Sequence, residues 1–360
     1  YFIEHYVQHL LELYANTHTE DDSTGRLTGR RLAEAEQVIK NRLNAGDDYH
    51  LIVTGAGATA AVNRLQAILG VYVPPATRDR AERSQAIVEE SRRPVVFVGP
   101  YEHHSNEISW REGIAEVVEV ELDDAGSLSL TDLEDKLRDT RWDGREKIGS
   151  FSAASNVTGV RTDVYAVAAL LHRHGAKAFF DFSASAPYVE IDVARDDESY
   201  FDGVFFSPHK YIGGPGAGGV LLIHDAVYRR DLPPSVAGGG TVRFVSATRQ
   251  DYVDDVEERE KAGTPGIIQT IRAALAIDLQ HALNVESIEA REKELLRRAY
   301  ERFEDIEELH PVVPHGDGDR LAIFSFNIRY RDGFLHPRFV VRLLNDLFGI
   351  QSRAGCSCAG

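Results

Sequence analysis

The stretch Gly203-Val204-Phe205-Phe206-Ser207-Pro208-His209-Lys210 is a short apolar run that ends on a lysine, and Tyr211-Ile212-Gly213-Gly214-Pro215-Gly216-Ala217-Gly218-Gly219 follows it directly. Residues 203–207 have the length and the bounds of a buried strand. Ligands of an open α/β sheet gather just past the carboxyl ends of its strands, so Lys210 stands where a ligand is expected. Partial loss of hydration there favours the neutral amine, the form that attacks a carbonyl carbon. The glycines allow backbone to close around that amine. Taken alone, the same residues read more readily as a surface lysine in a flexible glycine-rich turn, the commoner fate of lysines.

Six further runs of the same kind lie to either side, at residues 51–54, 95–99, 117–122, 147–153, 176–181 and 218–223. Before the run at 176, Val164, Val167, Leu170 and Leu171 fall on one helical face that Gly175 would terminate. Strands alternating with helices predict an α/β fold with a mostly parallel central sheet flanked by helices. Beyond about residue 265 the pattern turns mostly helical, and Phe339, Val340, Leu343, Leu344, Leu347 and Phe348 form an apolar stripe ending at Gly349. That stripe predicts a smaller α+β domain behind the sheet domain. The expected division is an N-terminal helical segment at 1–17, a large site-bearing domain at 18–283 and a small C-terminal domain at 284–360, with the natural chain continuing past Gly360.

Two more polar clusters fall at strand ends. Asp181 closes the apolar run 176–181, where a carboxylate is costly unless something pairs with it. A cationic ring nitrogen would do so, as would an arginine, and capping of the next segment is an equal alternative. Thr54-Gly55-Ala56-Gly57-Ala58-Thr59 joins a strand to a helix, and free N–H groups at a helix start bind phosphate well. Ordinary packing explains such a turn about as well.

The whole-chain totals narrow the partners. Of the 360 residues 43% are hydrophobic, and no run approaches the roughly 18 apolar residues of a membrane helix. The formal charge is −17, from 57 acidic against 40 basic residues, which argues against a nucleic-acid partner. Cys356 and Cys358 are the only cysteines, so no disulfide framework and no thiolate zinc site is expected, no metal is assigned, and a reducing cytoplasm is the natural location.

Taken together, Ser155-Asn156-Val157-Thr158-Gly159, Asp181 and Ser207-Pro208-His209-Lys210 resemble the signature of the class V aminotransferase family of pyridoxal-phosphate (PLP) enzymes, which includes cysteine desulfurases and selenocysteine lyases. Tyr101-Glu102-His103-His104-Ser105-Asn106 resembles that family's Glu-His-His-Ala-Asn segment, and Ala262-Gly263-Thr264-Pro265 its Ala-Gly-Thr-Pro turn. Arg353-Ala354-Gly355-Cys356-Ser357-Cys358-Ala359 resembles the segment that holds the desulfurase cysteine. The resemblance runs from about Asn16 onward and implies the PLP-dependent transferase fold of type I.

It also implies roles. Lys210 would carry the cofactor as a Schiff base and later move the α-proton. Asp181 would face the ring nitrogen, His103 would stack on the ring or merely cap a helix, and Asn156 would meet the phenolic oxygen. Ala58 (through its backbone), Thr59, Ser207 and His209 would hold the phosphate, with Thr264 reaching the other subunit's phosphate in a homodimer. Arg353 would receive the carboxylate of a small amino-acid substrate, since a guanidinium fork suits that group. Cys358 would carry the sulfur as a persulfide, with Cys356 as a resolving partner and a sulfur-acceptor protein as a further partner. His18 would line the same pocket. Lys210 and Asp181 together read as a buried ion pair.

The match has gaps. The family's desulfurases carry a glutamine three residues past the aspartate, where Ala184 stands here between Ser183 and Ser185. An Asn-Ala-Ala-Thr-Thr segment is absent as well. The leading reading is therefore a cysteine desulfurase or selenocysteine lyase. A class V aminotransferase, epimerase or other C–S lyase at the same site is the alternative, and a non-catalytic sulfur-carrier or partner-binding relative is the reading from another class.

Overall fold

All seven apolar runs pair into one sheet in the computed structural model, which describes the chain apart from residues 18, 20, 85–87, 315, 317 and 360. His18 thus lies outside the described residues. The strands are β1 (Tyr49–Thr54), β2 (Val95–Val98), β3 (Glu116–Glu119), β4 (Lys147–Ser152), β5 (Lys177–Asp181), β6 (Gly203–Phe206) and β7 (Gly219–His224), in the order β1-β7-β6-β5-β4-β2-β3. Only β7 runs against its neighbours; every other pair is parallel.

The near-continuous apolar character of these strands follows from burial on both faces. Consecutive side chains point to opposite sides, so Phe180, Phe206 and Leu222 join one core while Phe179, Phe205 and Leu221 join the other. The helices are α1 (Phe2–Leu11), α2 (Ser23–Arg42), α3 (Ala58–Ile68), α4 (Pro75–Ser84), α5 (His104–Arg111), α6 (Leu130–Leu137), α7 (Val164–Arg173), α8 (Val256–Arg259), α9 (Ile267–Ala282), α10 (Val285–Phe303) and α11 (Pro337–Phe348). Ile39 of α2, Leu171 of α7 and Ile277 of α9 fill the first core; Leu65 of α3 and Trp110 of α5 fill the second. Among the described residues, no helix is long and apolar enough to cross a membrane.

Parallel strands fed by these helices bring the loops after β1, β2, β5 and β6 to one edge of the sheet. At that edge stand Thr59 in the first turn of α3, His103, Asp181 at the end of β5, and Lys210. Further on lie a hairpin, β8 (Val242–Val245) with β9 (Gln250–Tyr252), and a small sheet, β10 (Leu309–Pro311), β11 (Phe326–Tyr330) and β12 (Gly333–Phe334).

Helix α11 forms where the stripe predicts and Gly349 ends it at φ 65, but the stripe is not buried. Phe339 is 53% exposed and Leu347 67% exposed, and no residue of α11 reaches the core. Periodicity reports that a helix has an apolar face; it does not report what that face meets.

Candidate active site

The loop from β1 into α3 forms one wall of the site. Ala58 N–H donates to Ser207 Oγ at 2.8 Å, which ties the start of α3 to the end of β6. His209 Nδ1 lies 2.8 Å from the Ala56 carbonyl, so the Nδ1–H tautomer donates and Nε2 is left available. A Cβ on Gly57 would stand 2.8 Å from His209 Cε1 and 3.0 Å from Ser207 Oγ, so the crossing of these two loops requires glycine. Thr59 Oγ1 meets Ser105 Oγ at 2.7 Å. The Thr59 N–H has no acceptor among the described residues, as the first turn of a helix leaves it.

The opposite walls come from β5, the loop after β6, and the loop after β2. Together they enclose a cavity of about 520 Å³ lined by Ala58, Thr59, His103, Asp181, Ser207, His209 and Lys210, with Ser105 and Ser183 beside them. Asp181 is 4% exposed, and its Oδ1 accepts from Ser183 N–H at 2.8 Å. Burial pushes its carboxyl up, against the pull of Ser183, Lys210 and His103. The Ser183 hydroxyl sits close enough to favour the carboxylate but is buried without a partner in hydrogen-bonding geometry.

Lys210 is open to the cavity yet crowded by protein. Lost hydration pushes its ammonium below the ordinary lysine range, Asp181 opposing and Arg353 reinforcing. The expected buried ion pair is corrected here: Lys210 and Asp181 line one cavity but make no direct contact, and space remains between an amine and a carboxylate that feel each other's charge. The run of glycines behind Lys210 permits this placement, since a Cβ on Gly214 would fall 1.9 Å from the Pro208 carbonyl oxygen.

Of the two roles the sequence left open for His103, the helix cap is seen directly. His103 lines the cavity, and its Nδ1 accepts from Ser105 N–H at 3.1 Å as the N-cap of α5. The cap needs an unprotonated Nδ1, and burial depresses the imidazole below its usual range, with Asp181 opposing. The folded ring therefore stays neutral where an unfolded one takes a proton. Its contribution to stability is complete above the ordinary value of 6.5 and is lost as pH falls through the lower folded value. Titration by NMR is expected to find His103 half-protonated below pH 6.5; a midpoint above it contradicts this geometry.

Glu102, next in the chain, is the group sequence reasoning passed over. It is 1% exposed and accepts four hydrogen bonds: from Ser152 N–H at 2.8 Å, Ser152 Oγ at 2.7 Å, Asn106 Nδ2 at 2.7 Å and Gly99 N–H at 3.2 Å. Burial pushes it up to about 7, with nearby Asp181 adding to the rise. These bonds lock the His103 loop to the end of β4.

Asn156, Arg353 and Cys358 gather at a turn beside the cavity rather than in its lining. Ala359 N–H donates to the Cys356 carbonyl at 3.0 Å across Ser357 (φ 52) and Cys358 (φ 62), the form of a type I′ turn. Two contacts hold this turn. Asn156 Nδ2 donates to the Ser357 carbonyl at 2.7 Å, and His104 N–H donates to the Cys358 carbonyl at 2.8 Å as part of the antiparallel bridge between His103 and Ala359. Arg353 Nη2 points at Cys358 Sγ, 3.6 Å away. Thr264 is exposed and bonded to Asn16 at 3.3 Å, away from this chain's own cavity lining.

The family model "Aminotransferase class-V" matches residues 2–360, and the chain belongs to that family. It is 28% identical over 349 residues to a probable cysteine desulfurase of Halalkalibacterium halodurans, covering 96% of this chain and 77% of that one. A probable cysteine desulfurase of Halobacterium salinarum is 30% identical over 267 residues, 73% of this chain and 60% of its own length. The chain therefore spans between three fifths and about three quarters of these relatives. Its fold matches the solved cysteine desulfurase of Thermococcus onnurineus with a TM-score of 0.79 at 24% identity, over 99% of this chain and 82% of that one. Escherichia coli cysteine desulfurase CsdA gives 0.74 at 20% identity, over 99% and 81%.

Proposed function

We propose that the protein is a PLP-dependent cysteine desulfurase, forming L-alanine from L-cysteine and holding the sulfur on Cys358. The observation that carries the reading is that one residue serves both halves of the chemistry: His103 lines the Lys210–Asp181 cavity and bridges to the turn bearing Cys358.

The cavity fits the cofactor by its donor set. An open N–H at Thr59, the start of α3 and the free Nε2 of His209 suit a phosphate. Asp181 suits a protonated ring nitrogen, His103 a ring face, and Lys210 an aldehyde carbon. PLP, when bound, supplies the electron sink that weakens bonds to the substrate's α-carbon. Lys210, depressed toward its neutral form, takes and returns the α-proton at Nζ. Asp181, buried and held by the Ser183 N–H, keeps a positive charge in place opposite it. Cys358 Sγ receives the departing sulfur, and the Arg353 guanidinium beside it supplies the counter-charge of a thiolate. In this reading residues 18–283 form the cofactor domain and 284–360 the smaller one. The active unit is a homodimer in the cytoplasm, with Thr264 serving the neighbouring subunit and a thiol-bearing acceptor receiving the sulfur.

Ala184 favours a second reading, another C–S lyase or an aminotransferase. In place of a long amide side chain it leaves a cavity of about 340 Å³ shared with Ser183, Tyr188, Lys210 and Glu292, room for a larger substrate side chain. Incubation with L-cysteine separates the two, since desulfuration yields alanine and a persulfide whereas elimination yields pyruvate. Cys358→Ala is expected to abolish persulfide labelling while the cofactor's absorption remains. Labelling of that variant at the wild-type level would rule out the assigned sulfur path.

A further inference from the structure

We propose that Cys356 is a second sulfur-carrying residue, taking the persulfide sulfur from Cys358 and presenting it at the surface. The inference rests on the desulfurase reading above and extends it to the route by which sulfur leaves.

The two thiols differ in access. Cys358 is half-buried on a turn whose carbonyls are tied to Asn156 and His104, while Cys356 is exposed one step outward on the same turn. An acceptor protein approaching from solvent meets Cys356 first. Residues two apart in a chain cannot have Cα atoms more than about 7 Å apart, and this turn folds them closer still. That spacing overlaps the range in which two cysteine sulfurs can bond.

The transfer balances without an added oxidant. The Cys356 thiolate attacks the outer sulfur of the Cys358 persulfide. The new bond forms from Cys356 Sγ to that sulfur, the bond from Cys358 Sγ to it breaks, and Cys358 departs as the thiolate. The outer sulfur passes across with its proton, so one thiolate and one persulfide become one persulfide and one thiolate. A leaving thiolate departs faster when its charge is stabilised. Arg353 provides that stabilisation at Cys358, its Nη2 standing 3.6 Å from Sγ, and no side chain of the described residues is hydrogen-bonded to Cys356 Sγ. The local charge therefore favours movement outward.

The test is a single turnover with ³⁵S-labelled L-cysteine on the PLP-loaded protein, quenched over time by alkylation and mapped by tandem mass spectrometry. The expected result is label first on Cys358 and then on Cys356, the second growing as the first declines. In Cys356→Ser the label should stay on Cys358, and its passage to a thiol-bearing protein should slow by about tenfold or more, as loss of an intramolecular partner implies. Label confined to Cys358 in the wild type at all times overturns the relay and leaves the desulfurase reading intact. So does early release of sulfide with a Cys356–Cys358 disulfide, which means attack on the inner sulfur. Label on neither cysteine removes the desulfurase reading, and this inference with it.

Discussion

Lys210→Ala is expected to lower amino-acid turnover by about 10³-fold or more and to remove the yellow colour of the cofactor-loaded protein, because the covalent tether and the proton-transfer group are the same amine. The fold should survive. Lys210 faces a cavity rather than a core, its partners are two charges felt at a distance, and the turn behind it is held by backbone: Lys210 N–H to the Ser207 carbonyl and Gly214 N–H to the Tyr211 carbonyl. Surface-like substitutions of this kind usually change stability by no more than about 0.5 kcal/mol. A variant that melts like the wild type but is colourless and inactive is thus the expected outcome. Retained turnover within tenfold of the wild type would mean that another group moves the proton.

The second large effect is on stability. Glu102→Ala removes the acceptor of four buried donors, on Gly99, Ser152 (backbone and hydroxyl) and Asn106. Each donor left unsatisfied costs roughly 1–3 kcal/mol, and relaxation around the gap brings the expected total to about 3–5 kcal/mol. The sign of the pH dependence follows from the raised carboxyl. In the folded protein Glu102 keeps its proton up to about pH 7, whereas the unfolded chain releases it near 4.5. The wild type therefore loses part of its stability as pH rises between those two values. The variant, lacking the carboxyl, does not. The destabilisation caused by Glu102→Ala should be larger at pH 5 than at pH 8, as thermal or denaturant melts at the two pH values would show. Equal losses at both, or a loss below about 1 kcal/mol, would mean that Glu102 is not the lock of the His103 loop.

Much of the fold was legible because burial on both faces of a parallel sheet forces continuous apolar runs, and the runs ending at Asp181 and before Lys210 are of that kind. Strand ends carry polar residues only at a cost, so the chemistry at 181 and 207–210 stood out against its own background. The partners of those groups were less visible. Asn156 reaches Ser357 across 201 positions, and Glu102 reaches Ser152 across 50, contacts that no local pattern encodes. The orphan hydroxyl of Ser183 beside Asp181 was equally hidden. What the stripe on α11 meets was hidden for a related reason, since an apolar face is a property of the helix and its covering is a property of the surroundings. The short strands β10 and β12 fell below what alternation can register.

The proposed chemistry rests on a covalent bond between one lysine and the cofactor. Reduction of the yellow protein with borohydride, followed by proteolysis and mass spectrometry, reads that bond directly among the seven lysines of the chain. A pyridoxyl group is expected on the peptide containing Lys210 and on no other. A pyridoxyl group fixed to a different lysine, or a fully loaded protein with none fixed at Lys210, would contradict it.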